Sequence, residues 1–449
     1  MFRNLALVSL AVFANAAVEA AEPQLEFDYG KSRQAFRDVA NEIVSSQRYG
    51  SAEIGPRLEP LKVEYPGGQN DDLTMDALVI PATKKKSLVI QINSGAHGLE
   101  TPTGSYMEQR FLSKCLPSLP KELLEETTFV VTHSLNPWGF KNGSRFNGNN
   151  VDLNRNCGGA RVGGEFDVCE GGKPNKEYGA MKWLFDWLVQ RDAPVSLTWC
   201  KIGVSAVAIY NGGFHAQSFG EKALRGQTDD PNGIYFAGRE LQPECKLYED
   251  FSRQFYQGEG AHRHSLTITW HTGYGSSGHL QLMGDSTDQD SKRLVSLLSD
   301  QVFTPGEMQH LDLDPSFKTC NDENVWLRHV EPDRQPQAGS GTNSYLTAEV
   351  GAEGDTASIC AVLMGQQLTR NQGGTPLFKG DVAQELRKQA FTIFNPTDES
   401  IDTKGGSKTY LQLLDEHADY SCRAIERYMR AVIAEPTGQS DDGSSAAPR

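Results

Sequence analysis

Apolar positions along this chain follow two periods, one helical and one strand-like, and the elements alternate. Between residues 28 and 47, Phe36, Val39, Ile43 and Val44 recur at three- and four-residue spacing, which predicts an amphipathic helix. Short apolar runs at 61–65 and 73–80 flank Pro66-Gly67-Gly68 and Asn70-Asp71, the punctuation of a hairpin. Residues 88–92 and 129–131 read as strands and 106–112 as helix. Residues 178–190 predict a helix with Trp183, Leu184, Trp187 and Leu188 on one face, while 204–210, 266–270 and 345–350 read as further strands. A long helix is predicted over 407–433, with Leu411, Leu414, Ala418, Cys422, Ile425 and Met429 at helical spacing. Strands alternating with helices imply an α/β fold: a mixed, mostly parallel sheet covered by helices on both faces.

Composition narrows the class. Hydrophobic residues at 38% and charged ones at 22% over 449 residues describe a globular chain able to bury a large core. A formal charge of -15 disfavours nucleic acid as a partner, since the one compact basic run, Lys84-Lys85-Lys86, fits a hairpin tip better than a phosphate track. Residues 1–20 carry Arg3, an apolar run from Leu5 to Phe13 and small residues around Ala16 and Ala20. They read as a secretory signal too short to span a bilayer. No other segment is long and apolar enough for a membrane span, so the expected location is periplasmic or secreted. Residues 21–434 then form the catalytic domain, and 435–449, dominated by Ser, Gly, Asp and Ala, a disordered tail. Eight cysteines in an exported chain suggest disulfides, with Cys157 to Cys169 the nearest guess, and none forms a C-x-x-C pair.

The candidate chemistry starts directly after the 88–92 strand, in Ser94-Gly95-Ala96-His97-Gly98-Leu99-Glu100. A catalytic zinc site takes three protein ligands and leaves one position for water, and His97 with Glu100 supplies two. A Gly- and Asn-rich stretch follows, with Asn136-Pro137-Trp138-Gly139, then Arg145, then Asp152-Leu153-Asn154-Arg155-Asn156. Guanidinium groups suit two-pronged recognition of a carboxylate. The third ligand must be sought further on. His271, at the end of the 266–270 strand, is best placed, with His215, His264 and His279 as rivals. A carboxylate within an apolar strand, Glu349, is the candidate general base, and Glu353 lies nearby.

In this order, H-x-x-E, N-P-x-G, Arg and D-L-N-R-N, the chain resembles the zinc metallocarboxypeptidase superfamily of the carboxypeptidase A type, with its related acyl-amino-acid deacylases. The run from Ser94 to Ser105 is most similar to a poorly characterised bacterial branch. The resemblance implies one Zn2+ held by His97, Glu100 and His271. It further implies Arg145 polarising the scissile carbonyl, Asn154 and Arg155 holding a free carboxylate, and Glu349 as catalytic base. It also implies a peptide or acylated amino acid as substrate. Two departures stand out. The interval from Glu100 to His271 implies an insertion within 157–263, and the tyrosine that these peptidases carry before the last catalytic strand has no counterpart from 301 to 344. Tyr274, Tyr235 and Trp326 are the possible stand-ins.

Gly273-Tyr274-Gly275-Ser276-Ser277-Gly278 satisfies the dinucleotide-binding spacing, but an alternating run at 279–284 follows where a helix would be needed. No G-x-S-x-G elbow is present, which disfavours a serine hydrolase. The expected activity is hydrolysis of an amide next to a free carboxylate. N-acyl amino acid deacylation is the enzymatic alternative, and an inactive carboxylate-binding module is the alternative from another class.

Overall fold

The apolar run at 88–92 becomes the middle strand of a seven-stranded sheet in the computed structural model. The structure describes residues 22–434 apart from 47, 51–53, 66–71, 85–86, 160–171, 257–261, 276, 284–341 with the exception of Leu294, 373–374, 398–399 and 404–405. The signal segment, the tail, the expected hairpin tip, Lys85, Lys86, Cys169 and Trp326 lie outside the described residues, as does most of 301–344.

The strands are β1 (Arg57–Lys62), β2 (Thr74–Ile80), β3 (Leu88–Ser94), β4 (Thr127–His133), β5 (His264–Thr272), β6 (Leu280–Met283) and β7 (Asn343–Val350). Their order is β1-β2-β4-β3-β5-β7-β6. The four central strands, β4, β3, β5 and β7, run parallel, and the outer pairings are antiparallel. The expected mixed α/β sheet is therefore observed. Helices include α1 (Tyr29–Ser45), α2 (Thr101–Arg110), α3 (Pro137–Asn142), α4 (Lys176–Gln190), α5 (Leu197–Gly212), α6 (Pro243–Tyr256), α7 (Asp355–Thr369), α8 (Gly380–Phe394) and α9 (Tyr410–Ile433). Parallel neighbours need long crossovers, and α2 lies in the one from β3 to β4 and α3 to α6 in the one from β4 to β5.

Alternation along the strands sends neighbouring side chains to opposite faces. Ile90, Val131 and Ile268 pack with Phe36 of α1, Tyr106 of α2 and Met429 of α9, whereas Val89, Val130 and Tyr345 pack with Leu184 of α4, Phe251 of α6 and Met364 of α7. The sheet is thus covered on both faces. Cross-strand register sets what meets at its edge. His271 lies opposite Glu349, and β3, β5 and β7 all end on the same side.

Several expectations need correction. Residues 204–210 form part of helix α5 and not a strand, because Cys200, Val204 and Val207 are buried at helical spacing. Strand β1 starts at Arg57, ahead of the apolar run at 61–65, since a half-exposed edge strand needs no continuous apolar sequence. On α4 the buried face runs through Tyr178, Met181, Leu184, Phe185 and Leu188, which leaves Trp183 and Trp187 outside. Cys157 pairs with Cys245, not Cys169, and Cys115–Cys422 and Cys200–Cys360 are the other described bridges.

The Cys115–Cys422 bridge ties the end of α2's chain segment to α9 across 307 residues. Linking such distant positions restricts the unfolded chain, an effect worth about 2–5 kcal/mol in native proteins. The double variant Cys115→Ser/Cys422→Ser is expected to lose stability in that range, measured by urea unfolding.

Candidate metal centre

The chain leaves β3 through a turn that the sequence makes compulsory. Gly95 has φ +67°, and a Cβ there would meet the Thr101 hydroxyl at 2.6 Å. A Cβ on Gly98 would lie 2.0 Å from the Gly139 carbonyl carbon, so the H-x-x-E turn and the N-P-x-G segment touch through backbone alone. Backbone bonds lock this contact, Leu135 N donating to Ser94 O and Asn136 N to Gly95 O. Asn136 also caps α3, accepting from Gly139 N at 2.8 Å, and its amide donates to Arg145 O at 3.1 Å. The two sequence motifs are parts of one scaffold.

That scaffold delivers His97 and Glu100 to the end of the sheet, where β5 brings His271. All three side chains are buried. Their ligating atoms lie within 4.8 Å of one another. His97 Nδ1 is 2.8 Å from Glu100 Oε1, His271 Nδ1 is 2.9 Å from Glu100 Oε2, and the two Nδ1 atoms are 3.2 Å apart. Thr272 N donates to Glu100 Oε2 at 3.2 Å and fixes the carboxylate.

The outer nitrogen of His97 decides what its inner one can do. Nε2 lies 3.1 Å from Asp152 Oδ1. A carboxylate only accepts, so a proton on Nε2 serves Asp152, and with a metal ion bound Nδ1 would turn its lone pair to that ion. An imidazole nitrogen and a carboxylate oxygen at 2.8 Å share either a proton or a metal ion. Donors at zinc-ligand distances around a tetrahedral ion lie roughly 3.3 Å apart. Two nitrogens and one carboxylate at 2.8–3.2 Å therefore fit a divalent metal ion.

Asp152, which the sequence presents only as part of a motif, is the residue that ties the centre together. Besides His97, it accepts from Arg145 Nε at 2.9 Å, and Arg145 Nη1 donates to Glu100 Oε1 at 3.0 Å. Burial opposes charge on all three groups. For Asp152 it is outweighed by Arg145, Arg155 and His97, which hold the carboxyl well below its usual range. For Glu100 it is outweighed by His97 and His271, so this carboxyl is also lowered. Arg145 is raised despite burial by Asp152 and Glu100. The signal that could have identified Asp152 is its position before Leu153-Asn154-Arg155, where it caps a short turn through Asn154 N at 3.0 Å.

Glu349 is buried opposite His271 and accepts from Tyr274 N at 2.7 Å. Burial, then the neighbouring Glu100 carboxylate, pushes its carboxyl up to about 8. Arg155 is buried as well. It donates to Leu224 O at 3.0 Å and Asn154 O at 3.0 Å, and its guanidinium lies 5.8 Å from the ring of Tyr235. The same ring faces Arg145 at 5.2 Å, on a residue with φ +56°. Burial raises the Tyr235 phenol to about 12. Of the stand-ins for the family's tyrosine, Tyr235 thus lies beside both arginines and Tyr274 beside Glu349, while Trp326 falls outside the described residues.

The rival histidines go elsewhere. His215 is exposed in the turn after α5, His264 sits at the opposite end of β5 bonded to Thr342, and His279 is half-buried before β6. Glu353 is half-buried in the loop after β7. The glycines at 273–278 form a turn into β6, which pairs antiparallel with β7, so no helix follows them.

A family model described as "Protein of unknown function (DUF2817)" matches residues 27–307. No curated protein matches the chain. Among solved structures, a Shewanella denitrificans OS-217 protein assigned as a carboxypeptidase A is 12% identical. That match covers 89% of this chain and 69% of the other, with a TM-score of 0.44. The carboxypeptidase A of Helicoverpa armigera is 12% identical over 89% of this chain and 75% of its own, with a TM-score of 0.42. A metallo-carboxypeptidase from Burkholderia cenocepacia is 11% identical over 75% and 68%, with a TM-score of 0.37.

Carboxylates behind a metal-facing histidine orient the ring and raise its basicity. Asp152→Asn is expected to weaken divalent-metal affinity by about 10- to 100-fold, measured by competition with a chromogenic chelator.

Proposed function

Because the chain belongs to the family of proteins of unknown function DUF2817, its activity has to come from its own residues. We propose that it is an exported, zinc-dependent hydrolase of amide bonds next to a free carboxylate, most like a metallocarboxypeptidase. The observation that carries this reading is the convergence of His97, Glu100 and His271 beside the buried carboxyl of Glu349. A Zn2+ bound there would polarise the substrate carbonyl and bring the pKa of a water toward about 7.

The protein groups have separable tasks. Glu349, held by Tyr274 N, takes a proton from the attacking water and passes it to the leaving nitrogen. Its raised carboxyl suits a group that must both gain and lose a proton near neutrality. Arg145, oriented by Asp152 and Glu100, stabilises negative charge growing on the carbonyl oxygen. Asn154 and Arg155 anchor the substrate carboxylate, with the guanidinium oriented by Leu224 O and stacked toward Tyr235. Export is supported by three disulfides among the described residues and by the pattern of residues 1–20.

Purified protein supplied with zinc is expected to release the terminal residue from peptides with a free carboxylate and to spare the amidated peptides, followed by mass spectrometry. Glu349→Gln should retain the metal and lose about a hundred- to ten-thousand-fold in kcat/KM. Unchanged turnover in that variant, or equal cleavage of amidated peptides, would refute the assignment. Release of acyl chains from N-acyl amino acids without peptide cleavage would move the substrate class to deacylation.

A further inference from the structure

The long connection between β4 and β5 sets one aromatic ring against two guanidiniums. The centroid of the Tyr235 ring lies 5.2 Å from Cζ of Arg145 and 5.8 Å from Cζ of Arg155. An electron-rich ring face attracts a guanidinium, and more strongly where water is excluded. All three side chains are buried, so both contacts are largely shielded from solvent. The Tyr235 phenol also feels the charges of Asp152 and Glu100, which sets the ring among the charged groups of the metal centre.

The backbone presents this ring in an unusual conformation. Tyr235 has φ +56°, the one aromatic residue with a positive φ among the described residues. A bulky side chain keeps such a backbone only where its surroundings over-determine it. Here they do. Gln227 N donates to Tyr235 O at 3.0 Å, and Ala237 N to Gln227 O at 2.8 Å. Asp152 N donates to Phe236 O at 2.8 Å, Asn156 Nδ2 to Ala237 O at 2.8 Å, and the Cys157–Cys245 bridge closes the same seam. Phe146 packs nearly perpendicular to the ring, with centroids 6.2 Å apart. The segment that carries Tyr235 is therefore fastened to the 152–157 segment that carries Arg155.

We propose that Tyr235 is a positioning residue: its ring fixes the separation of the Arg145 and Arg155 guanidiniums, so the chain selects substrates by the distance between scissile carbonyl and free carboxylate. This inference rests on the roles proposed above for the two arginines. A carboxylate one carbon from the amide nitrogen reaches Arg155 while the carbonyl stays beside Arg145. A carboxylate two carbons away overshoots, and a misplacement of about 1 Å in such a site can cost on the order of a hundredfold in rate. The role belongs to the ring and not to its hydroxyl.

Two isomeric peptides test the spacing, benzoyl-glycyl-alanine and benzoyl-glycyl-β-alanine, whose carboxylates differ in position by one carbon. Binding is measured by calorimetry in the zinc-loaded full chain carrying Glu349→Gln, and turnover of the alanine peptide is measured in parallel in the native chain. The alanine peptide is expected to bind about tenfold tighter than its isomer. Adding Tyr235→Asn, which suits a positive φ, should shrink that preference to about twofold or less, and Tyr235→Leu should do the same. Tyr235→Phe should keep it, with zinc content and circular dichroism unchanged in all variants. Three results would overturn the inference: no preference with Tyr235 in place, a preference that survives both ring deletions, or a loss in Tyr235→Phe as large as in Tyr235→Asn. Any of these with native turnover intact leaves the hydrolase reading standing. The expected binding pattern without native turnover overturns that reading and leaves the positioning role.

Discussion

The centre depends on one buried carboxylate shared between an imidazole and a guanidinium. Asp152 accepts from the His97 imidazole and the Arg145 guanidinium at once. Without it, the His97 ring has nothing to hold its proton on the outer nitrogen, and Arg145 is left with a single carboxylate partner in a dry site. Buried charges are tolerable only when their partners are complete. The network Glu100–Arg145–Asp152–His97 meets that condition and spans two separate motifs, 97–100 and 145–155. Neither motif is positioned alone. Gly98 lets the 97–100 turn touch the 136–139 segment, and Asn136 holds both sides, its backbone N–H donating to Gly95 O and its side-chain amide to Arg145 O.

The sheet does the remaining positioning. Parallel β3, β5 and β7 end on the same side, so residues near their carboxyl ends converge there, the usual place for ligands in open α/β sheets. His97 follows β3 by three residues, while His271 and Glu349 sit one residue before the ends of β5 and β7. A one-residue slip between β5 and β7 would separate His271 from Glu349 and turn one of them into the core. The proposed base and a proposed ligand are thus held in relation by the ladder and not by a loop.

Much of this was legible in the sequence because it rests on local signals. The 28–47 periodicity produced α1 and the 88–92 run produced β3. A histidine at a strand's end had a natural route to the site. Other features depend on partners far along the chain. Val204, Val207, Ile209 and Tyr210 look like strand residues in isolation, and only the packing of Cys200 and Val204 against the core makes the segment helical. Trp183 and Trp187 share a helix side with nothing in the core, a fact that periodicity cannot reveal. Cys157 bonds across to α6, where Cys245 sits, and no spacing rule predicts a partner 88 residues away. The part of Asp152 was hidden for the same reason, since His97, one of its partners, comes from a separate segment.

X-ray absorption at the zinc edge on metal-loaded protein tests the central claim most directly. The account predicts one zinc per chain with two nitrogen ligands and at least one oxygen at about 2.0–2.2 Å, and loss of that signature in His97→Ala. A sulfur-containing shell, or an unchanged spectrum in that variant, would contradict it.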